Sequence, residues 1–282
     1  MAMQREVVER AVAAALREDV GLGDITTDST VPETATGVGR LWAKEAQTVA
    51  GLAVAEAVFA AVDGALIFEA LASDGEAVAA GASVARVRGS LRSILTAART
   101  ALNFLQRMGG IATLTRRYTA ALEGTGVRVA DTRKTTPGMR MLEKHAVAMG
   151  GGVNHRWALD SGVLIKDNHL LAAGGVEKAV RGARAHAPHT LRVEVECKRL
   201  EQVSEAIAAG ADAVLLDNMD GDLLAEAVAV ATGRVVVEVS GGITLETIRD
   251  KALAGVDIIS VGALTHSAPC VDIALDLEGG DA

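Results

Sequence analysis

The sequence predicts an α/β protein whose larger domain is a barrel of parallel strands with helices between them. Two observations predict this class. First, strand-like apolar runs recur every 22 residues, beginning at Leu191, Ala213, Val235 and Asp257. Second, the segments between these runs have the apolar spacing of helices. A period of this length holds one strand, a loop, a helix and the return to the sheet.

The composition is typical of a globular protein with a core of small aliphatic side chains. Of the 282 residues, 50% are apolar and only 2% are aromatic. A chain of this length and content can bury a sizeable core, and Ala, Val, Leu and Ile suit the packing of helices on a sheet. The formal net charge is -8, which argues against nucleic acid as a partner because a phosphate backbone requires a broad basic face.

The apolar segments favour a cytoplasmic protein that has no membrane partner. The first ten residues, MAMQREVVER, are charged before any apolar stretch begins, so no secretory signal is expected. The most apolar window, residues 51 to 72, contains Glu56, Asp63 and Glu69, which the core of a bilayer would not accept.

The first part of the chain predicts a small α+β unit. Residues 91 to 122 have helical spacing, with an expected interruption at Gly109-Gly110, and are expected to lead into the second domain. The residues before position 91 alternate between helical and strand-like patterns. Helices are expected at 4 to 18 and 52 to 62, and strands near 37 to 45, 65 to 71 and 83 to 89.

Two further apolar runs, at 127 to 130 and 163 to 165, join the four regularly spaced strands and predict at least six parallel strands. No GxGxxG sequence opens the first strand-to-helix turn, so a barrel is favoured over an open doubly wound sheet. The loops that follow the strands of such a barrel share one mouth, and residues far apart in sequence converge there.

A cationic segment marks this mouth. The sequence DTRKTTPG, residues 131 to 138, follows the run at 127 to 130 and carries Arg133, Lys134 and hydroxyl groups. Such a segment at a strand end is typical of a site for a charged ligand in α/β folds. Taken alone, it would equally fit a solvated loop. The segments GGGVNHR at 150 to 156 and LIKDNH at 164 to 169 add Arg156 and Lys166 and favour an anion site.

Single acids end two of the apolar runs. Glu196 and Asp217 occupy these positions, where a carboxylate that faced a core would cost several kcal/mol unless it were paired or solvated. We therefore expect both to face the mouth, where they could bind sugar hydroxyls, coordinate Mg²⁺ or stabilise a developing positive charge. The alternative is an ion pair with Lys166 or Lys134.

Glycines follow the last two strands. Ser240, Gly241 and Gly242 come after one run and Gly262 after the next, as in the phosphate site of many β/α barrels, where backbone N–H groups approach an oxyanion. The alternative for either segment alone is an ordinary turn.

Together these segments strongly resemble the quinolinate phosphoribosyltransferase family, the decarboxylating nicotinate-nucleotide pyrophosphorylases of NAD synthesis. The resemblance covers nearly the whole chain and rests on REDVGLGDITTD (17–28), ARTALNFLQRMGGIAT (98–113), DTRKTTPG, GGGVNHR, LIKDNH, VEVEC (193–197), LLDN (215–218), SGGI (240–243) and VGALTH (261–266).

The resemblance implies an α/β fold of two domains. An N-terminal α/β sandwich would span residues 1–108 and be completed by the C-terminal segment, about 268–282. An open β/α barrel of the type II phosphoribosyltransferase kind would span 109–267. The resemblance also implies a homodimer, with hexamers as a further option, whose sites lie at the subunit contact.

The resemblance further assigns the site residues. Arg99 from the partner subunit, Thr132, Arg133, His155 and Arg156 would hold quinolinate. The sugar donor, phosphoribosyl pyrophosphate (PRPP), would meet Lys134 and Lys166 at its pyrophosphate and Glu196 and Asp217 at its ribose hydroxyls or at Mg²⁺, directly or through water. Its 5-phosphate would lie against Ser240, Gly241, Gly242, Gly262 and His266. Lys134, Lys166, Glu196 and Asp217 would be the catalytic residues, Mg²⁺ would enter with PRPP, and no organic cofactor is expected.

The sequence departs from the family pattern at one visible position: His145 follows Lys144, where the family commonly has Tyr. Three alternatives to the assigned function remain. They are a related transferase of the molybdenum-gene type, a β/α-barrel lyase that uses Lys166 as a Schiff base, and a noncatalytic sensor of a phosphate ligand suggested by the glycines alone.

Overall fold

A computed structural model describes residues 3–278 of the chain. The chain divides into two compact units. The first contains Met1–Arg116, Thr135–Gly151 and Leu264–Ala282, and the second contains Arg117–Lys134 and Gly152–Ala263. Residues 1, 2 and 279–282 lie outside the described part of the chain, as does the end of the predicted 268–282 segment.

Strands and helices alternate along most of the described residues. The helices are α1 (Arg5–Val20), α2 (Ile25–Thr30), α3 (Leu52–Val62), α4 (Leu91–Ala121), α5 (Arg140–Met149), α6 (Asp167–Ala173), α7 (Val176–His186), α8 (Leu200–Ala208), α9 (Gly221–Ala231), α10 (Ile248–Lys251) and α11 (Ala263–His266). The strands are β1 (Thr36–Ala43), β2 (Gln47–Thr48), β3 (Ile67–Ala70), β4 (Ala77–Val78), β5 (Ser83–Ser90), β6 (Arg128–Ala130), β7 (Val163–Ile165), β8 (Val193–Cys197), β9 (Ala213–Asp217), β10 (Val236–Ser240), β11 (Ile258–Ser260) and β12 (Ile273–Glu278).

The first unit is built around an antiparallel sheet with the strand order β12-β1-β5-β3. Alternate residues of β1 are buried, including Leu41 and Ala43, as expected for a strand with one face on a core. Phe59 of α3 is also fully buried in this unit. The last described strand, β12, pairs with β1 over Val38 to Ala43, so the end of the chain contributes an edge strand to this sheet.

Helix α4 runs without a break through Gly109 and Gly110, so the predicted interruption there is wrong. The glycines serve close packing instead. A Cβ on Gly110 would overlap the carbonyl oxygen of Pro269, and one on Gly109 would crowd Val271. Absence of a side chain thus outweighs the low helix propensity of glycine here. The domain boundary predicted between residues 108 and 109 falls inside this helix and stays a prediction.

The second unit contains a parallel sheet with the strand order β6-β11-β10-β9-β8-β7. Strands β6 and β7, which follow each other along the chain, lie at opposite ends of this order, as in a barrel that is left open between them. Strand β8 is buried along its whole length, as expected for a strand covered on both faces. The six predicted parallel strands and the α/β fold class are confirmed.

The described helices include none that combines the length and the apolar character needed to cross a bilayer.

Candidate active site

The carboxyl ends of the six parallel strands position most of the predicted site residues in the second unit. Thr132, Arg133 and Lys134 follow β6, and Lys166 follows β7. Glu196 lies in β8, and Asp217 ends β9. Ser240 ends β10 and is followed by Gly241 and Gly242, while Gly262 lies just after β11. The contacts described below connect several of these loops directly.

A buried carboxylate, Asp131, ties the GGGVNHR segment to β6. Its Oδ2 accepts a hydrogen bond from Asn154 Nδ2 at 2.6 Å, and its Oδ1 accepts one from the backbone N–H of His155 at 2.9 Å. The backbone N–H of Val153 also donates to the carbonyl of Val129 at 2.8 Å. Asp131 is fully buried. It was not among the predicted site residues, although an acid directly after an apolar run was the available signal.

The guanidinium groups of Arg133 and Arg156 lie in the same partly buried region. Burial lowers the pKa of Arg156, the nearby charge of Arg133 lowers it further, and Glu194 opposes both. Arg156 Nη1 donates to the carbonyl of Gly162 at 3.0 Å. The Nε atom of Arg133 is buried and has no hydrogen-bond partner among the described residues. Two guanidinium groups held near each other in this way favour a ligand with more than one negative charge.

The His155 ring lies between Arg156 and two acids. Its Nδ1 accepts the backbone N–H of Arg156 at 2.7 Å. Its Nε2 lies 3.2 Å from Glu194 Oε2 and 3.6 Å from Glu238 Oε2. Burial, and next the negative charge of Glu194, raise the pKa of Glu238 to about 8. Glu238 was not predicted as a site residue, although it is a lone acid within the apolar run VVVEVS.

Ion pairs join the acids on β8 and β9 to lysines. Lys166 Nζ lies 2.9 Å from Glu196 Oε2, which is the ion-pair alternative considered for Glu196. Lys198 Nζ lies 2.9 Å from Asp167 Oδ2 and 4.0 Å from Asp217 Oδ2. Lys198 was missed by sequence reasoning, although it directly follows β8.

The environment of Lys166 does not suit a Schiff base. A lysine that forms one needs a desolvated, weakly basic amine. The side chain of Lys166 is 49% exposed, so it is not desolvated, and its Nζ lies beside a carboxylate oxygen of Glu196. The lyase alternative therefore lacks its main requirement.

The turn after β10 presents an open stretch of backbone. Gly241 and Gly242 have φ angles of 94° and 61°, in the left-handed region that favours glycine. A Cβ on Gly241 would overlap the side chain of Asn218, whereas one on Gly242 would meet open space. The hydroxyl of Ser260 donates to that of Ser240 at 2.9 Å. These features suit the predicted phosphate cradle, because a phosphate can approach the backbone of Gly242 without side-chain hindrance.

Arg99 and His266 belong to the first unit, and their predicted roles stay predictions. Arg99 is exposed on α4, and His266 Nδ1 lies 2.6 Å from the hydroxyl of Ser267. His145, the departure from the family pattern, has its Nε2 3.0 Å from Asp74 Oδ2. Burial raises the pKa of Asp74, but the hydrogen bonds it accepts, first that from His145, outweigh burial and hold the pKa below its usual value. His145 thus has a local partner in the first unit.

The chain is similar to known proteins along most of its length. The sequence-family model of the quinolinate phosphoribosyl transferase N-terminal domain matches residues 24–109, and the family model of the C-terminal domain matches residues 111–276. The chain is 42% identical over 265 residues to a probable nicotinate-nucleotide pyrophosphorylase [carboxylating] of Synechocystis, covering 93% of this chain and 90% of the relative. It is 42% identical over 286 residues to quinolinate phosphoribosyltransferase [decarboxylating] 1 of Nicotiana glauca, covering 95% and 81%.

Solved structures agree as well. A crystal structure of NadC from Streptococcus pyogenes superposes with a TM-score of 0.94 at 40% identity, over 99% of this chain and 100% of that one. The nicotinate-nucleotide pyrophosphorylase of Francisella tularensis superposes with a TM-score of 0.93 at 38% identity, over 98% of each chain. Both domain models, the curated relatives and the solved structures agree, and the chain belongs to the quinolinate phosphoribosyltransferase family.

Proposed function

We propose that the chain transfers the phosphoribosyl group of PRPP to quinolinate, with loss of CO₂, to give nicotinate mononucleotide and pyrophosphate in NAD biosynthesis. Family membership supports this reaction. The structural observation that carries it is the neighbouring pair of partly buried guanidinium groups, Arg133 and Arg156. Quinolinate is a planar dicarboxylate, and the bidentate fork of arginine matches planar carboxylates.

The quinolinate subsite consists of Arg133 and Arg156, with Thr132 and His155 beside them. The unpartnered Nε of Arg133 offers a buried donor for one carboxylate. Arg99, supplied by the partner subunit of a homodimer, completes the neutralisation of the substrate.

The PRPP subsite consists of the lysines and the turn after β10. Lys134 and Lys166 bind the pyrophosphate as point charges. Glu196 binds the ribose hydroxyls after Lys166 turns towards the pyrophosphate, and Asp217 binds them on the neighbouring strand. The 5-phosphate is bound by Ser240, Gly241, Gly242, Gly262 and His266.

The acids at the ends of β8 and β9 fit the expected Mg²⁺. This ion prefers oxygen ligands and is commonly held through one or two carboxylates together with substrate phosphates. Glu196 and Asp217 offer such oxygens on neighbouring strands, and each already lies beside an ammonium group, Lys166 or Lys198. Bound Mg²⁺ would neutralise part of the pyrophosphate charge.

The reaction needs positioning and charge stabilisation from the protein. As the bond from C1 of the ribose to pyrophosphate breaks, the sugar becomes oxocarbenium-like, and the carboxylates of Glu196 and Asp217 stabilise that charge. The pyridine nitrogen of quinolinate then bonds to C1 and the ring becomes a cation. When CO₂ leaves C2, the ring accepts the electron pair of the broken bond, and C2 takes up a proton. The ring itself thus serves as the electron acceptor, so no organic cofactor is required.

The test is formation of nicotinate mononucleotide and pyrophosphate from quinolinate, PRPP and Mg²⁺. We expect Arg156→Ala to raise the KM for quinolinate by about 100-fold, since a bidentate charge-assisted contact is worth about 3 kcal/mol. The KM for PRPP should change little. Arg181→Ala, which removes an exposed arginine of α7 paired with Glu177, is the matched control. No pyrophosphate release by the unaltered protein would instead favour a noncatalytic phosphate sensor, and equal losses for both substrates would contradict the role of Arg156.

The protein is further proposed to act as a homodimer in the cytoplasm. The charged residues among the first ten positions and the acids within the apolar window at 51 to 72 support the location. The dimer rests on the resemblance of the ARTALNFLQRMGGIAT segment, which carries Arg99.

A further inference from the structure

A cluster of ionisable side chains, two of them buried acids, shares His155 with the quinolinate subsite. His155, Glu194 and Glu238 bring one nitrogen and two carboxylate oxygens within 4.8 Å of one another. Their side chains are only 14%, 12% and 4% exposed. The proposed mechanism assigns no role to either acid, and negative charge close to a pocket for a dicarboxylate would oppose substrate binding.

The contacts of His155 fix the tautomer of its ring. A backbone N–H can only donate, so the Nδ1 atom that faces the N–H of Arg156 must be the acceptor. The ring proton therefore resides on Nε2, which points to the two carboxylates at 3.2 and 3.6 Å. Both ring nitrogens face protein groups, and the ring connects the buried acids to the backbone of the substrate-binding arginine.

The pair of acids, Glu194 and Glu238, also needs to bind one proton. Glu238 as a whole residue is 3% exposed, and its Oε1 atom is buried without a hydrogen-bond partner among residues 3–278. An unpaired charge in such a place is strongly disfavoured, and Glu194 lies beside it. Burial and the charge of Glu194 accordingly raise the pKa of Glu238. A neutral Glu238 leaves one negative charge near the ring, and it lowers the repulsion that a dianionic ligand would meet.

We propose that Glu194 and Glu238 are positioning residues of the quinolinate subsite: Glu194 holds His155 so that its Nδ1 orients Arg156, and Glu238 acts in its neutral form. This inference rests on the proposed function, because it concerns how tightly the same pocket holds its dicarboxylate. The groups that face Glu238 come from three other elements: Glu194 on β8, His155 in the segment before β7, and Ser260 on β11. Arg156 in turn lies near Glu194.

The test is the pH dependence of the KM for quinolinate, measured beside the KM for PRPP. In the unaltered enzyme the quinolinate KM should rise by about tenfold between pH 7 and 9, as expected when a group with a pKa near 8 must stay protonated. Glu238→Gln keeps a neutral side chain of similar shape. We expect it to have a quinolinate KM within about twofold of the unaltered value at pH 7 and to lose the alkaline rise. An alkaline rise that persists in Glu238→Gln would overturn the role given to Glu238.

Glu194→Gln tests the positioning contact. We expect it to raise the quinolinate KM by about tenfold at every pH, since a hydrogen bond to a charged acceptor is replaced by a weaker one, while the PRPP KM stays the same. Equal changes in both values would overturn its role. Glu201→Gln, at an exposed position of α8, is the matched control.

Nitrogen NMR of ¹⁵N-histidine-labelled protein supplies a readout that is independent of catalysis. At pH 7 the His155 signals should be those of a neutral ring protonated at Nε2 in both the unaltered protein and Glu238→Gln, and Nδ1 protonation would overturn the assignment. If the unaltered protein forms no nicotinate mononucleotide, the proposed function fails. If it is active but the unaltered protein and Glu238→Gln show the same pH profile of the quinolinate KM, only this inference fails.

Discussion

Lys166 Nζ lies 2.9 Å from Glu196 Oε2, across the neighbouring strands β7 and β8. The lysine is about half exposed, whereas the glutamate side chain is only 10% exposed. The long flexible stem of Lys166 can therefore turn towards an entering polyanion, whereas the buried Glu196 has less freedom to move and is proposed to bind the ribose or Mg²⁺.

Lys166→Met should reduce kcat/KM for PRPP by about 100-fold, because it removes a charge that acts on the departing pyrophosphate. The quinolinate KM should change by less than about threefold. Lys178→Met, an exposed lysine of α7 in the same unit, serves as the control. Steady-state kinetics with each substrate varied in turn would check this. A loss confined to the quinolinate KM would show that Lys166 belongs to the other subsite.

Asp131→Asn should destabilise the protein and loosen the quinolinate subsite. The amide would place a donor group or a weaker acceptor against Asn154 Nδ2 and the N–H of His155, which now meet a buried carboxylate. We expect a loss of about 1–3 kcal/mol in the free energy of unfolding and an increase in the quinolinate KM, with little change for PRPP. Denaturant titration and kinetics would measure the two effects. Asp160→Asn, at an exposed position of the same unit, should change neither.

Gly241→Ala should weaken the binding of PRPP by at least about tenfold, because a Cβ would displace Asn218 and reshape the turn that is proposed to bind the 5-phosphate. Gly210→Ala is a close control. Gly210 has a φ of 92°, beside 94° for Gly241, but a Cβ there meets open space. Both variants should lose about 1–2 kcal/mol of stability from backbone strain. If both variants change the PRPP KM equally, backbone strain is responsible rather than the displacement of Asn218.

The free energy of unfolding should fall as pH rises from about 4.5 to 8 through the contribution of Glu238. Its pKa is raised from 4.5 to about 8 in the folded protein, so the folded state binds the proton more tightly than the unfolded state. This contribution is fully present below the unfolded pKa and is lost as pH rises through the folded one, with a slope of at most about 1.4 kcal/mol per pH unit. Denaturant unfolding at several pH values would show a flatter profile for Glu238→Gln, and identical profiles would contradict the shift.

Mixed subunits should reveal whether Arg99 acts across a dimer. Arg99→Ala and Lys134→Ala would each be inactive alone. If random exchange forms mixed dimers, half of all dimers are mixed and each has one intact site, so about a quarter of the unaltered activity should return. Activity would be measured after refolding the two variants together, with each refolded alone as the control. No recovery would place Arg99 in the pocket of its own subunit.

The sequence by itself determined the α/β class and the six parallel strands, and it predicted the segments of the candidate site. Their signals are local: apolar runs at a fixed period, and charged or glycine residues directly after them. Local signals could not predict that helix α4 is continuous. Its glycines allow the close approach of Pro269 to Gly110, and these two residues are more than 150 positions apart in the sequence.

Only the tertiary structure decided which of the polar residues face one another. The acids Glu194 and Glu238 interrupt apolar runs, but their common contact with His155 arises because β8 and β10 lie on either side of β9 in a particular register. In the same way, only the folded sheet brings Lys198 to Asp167 and Asp217. Periodicity along a chain specifies which side of a strand a residue occupies, whereas sheet order and register specify its neighbours.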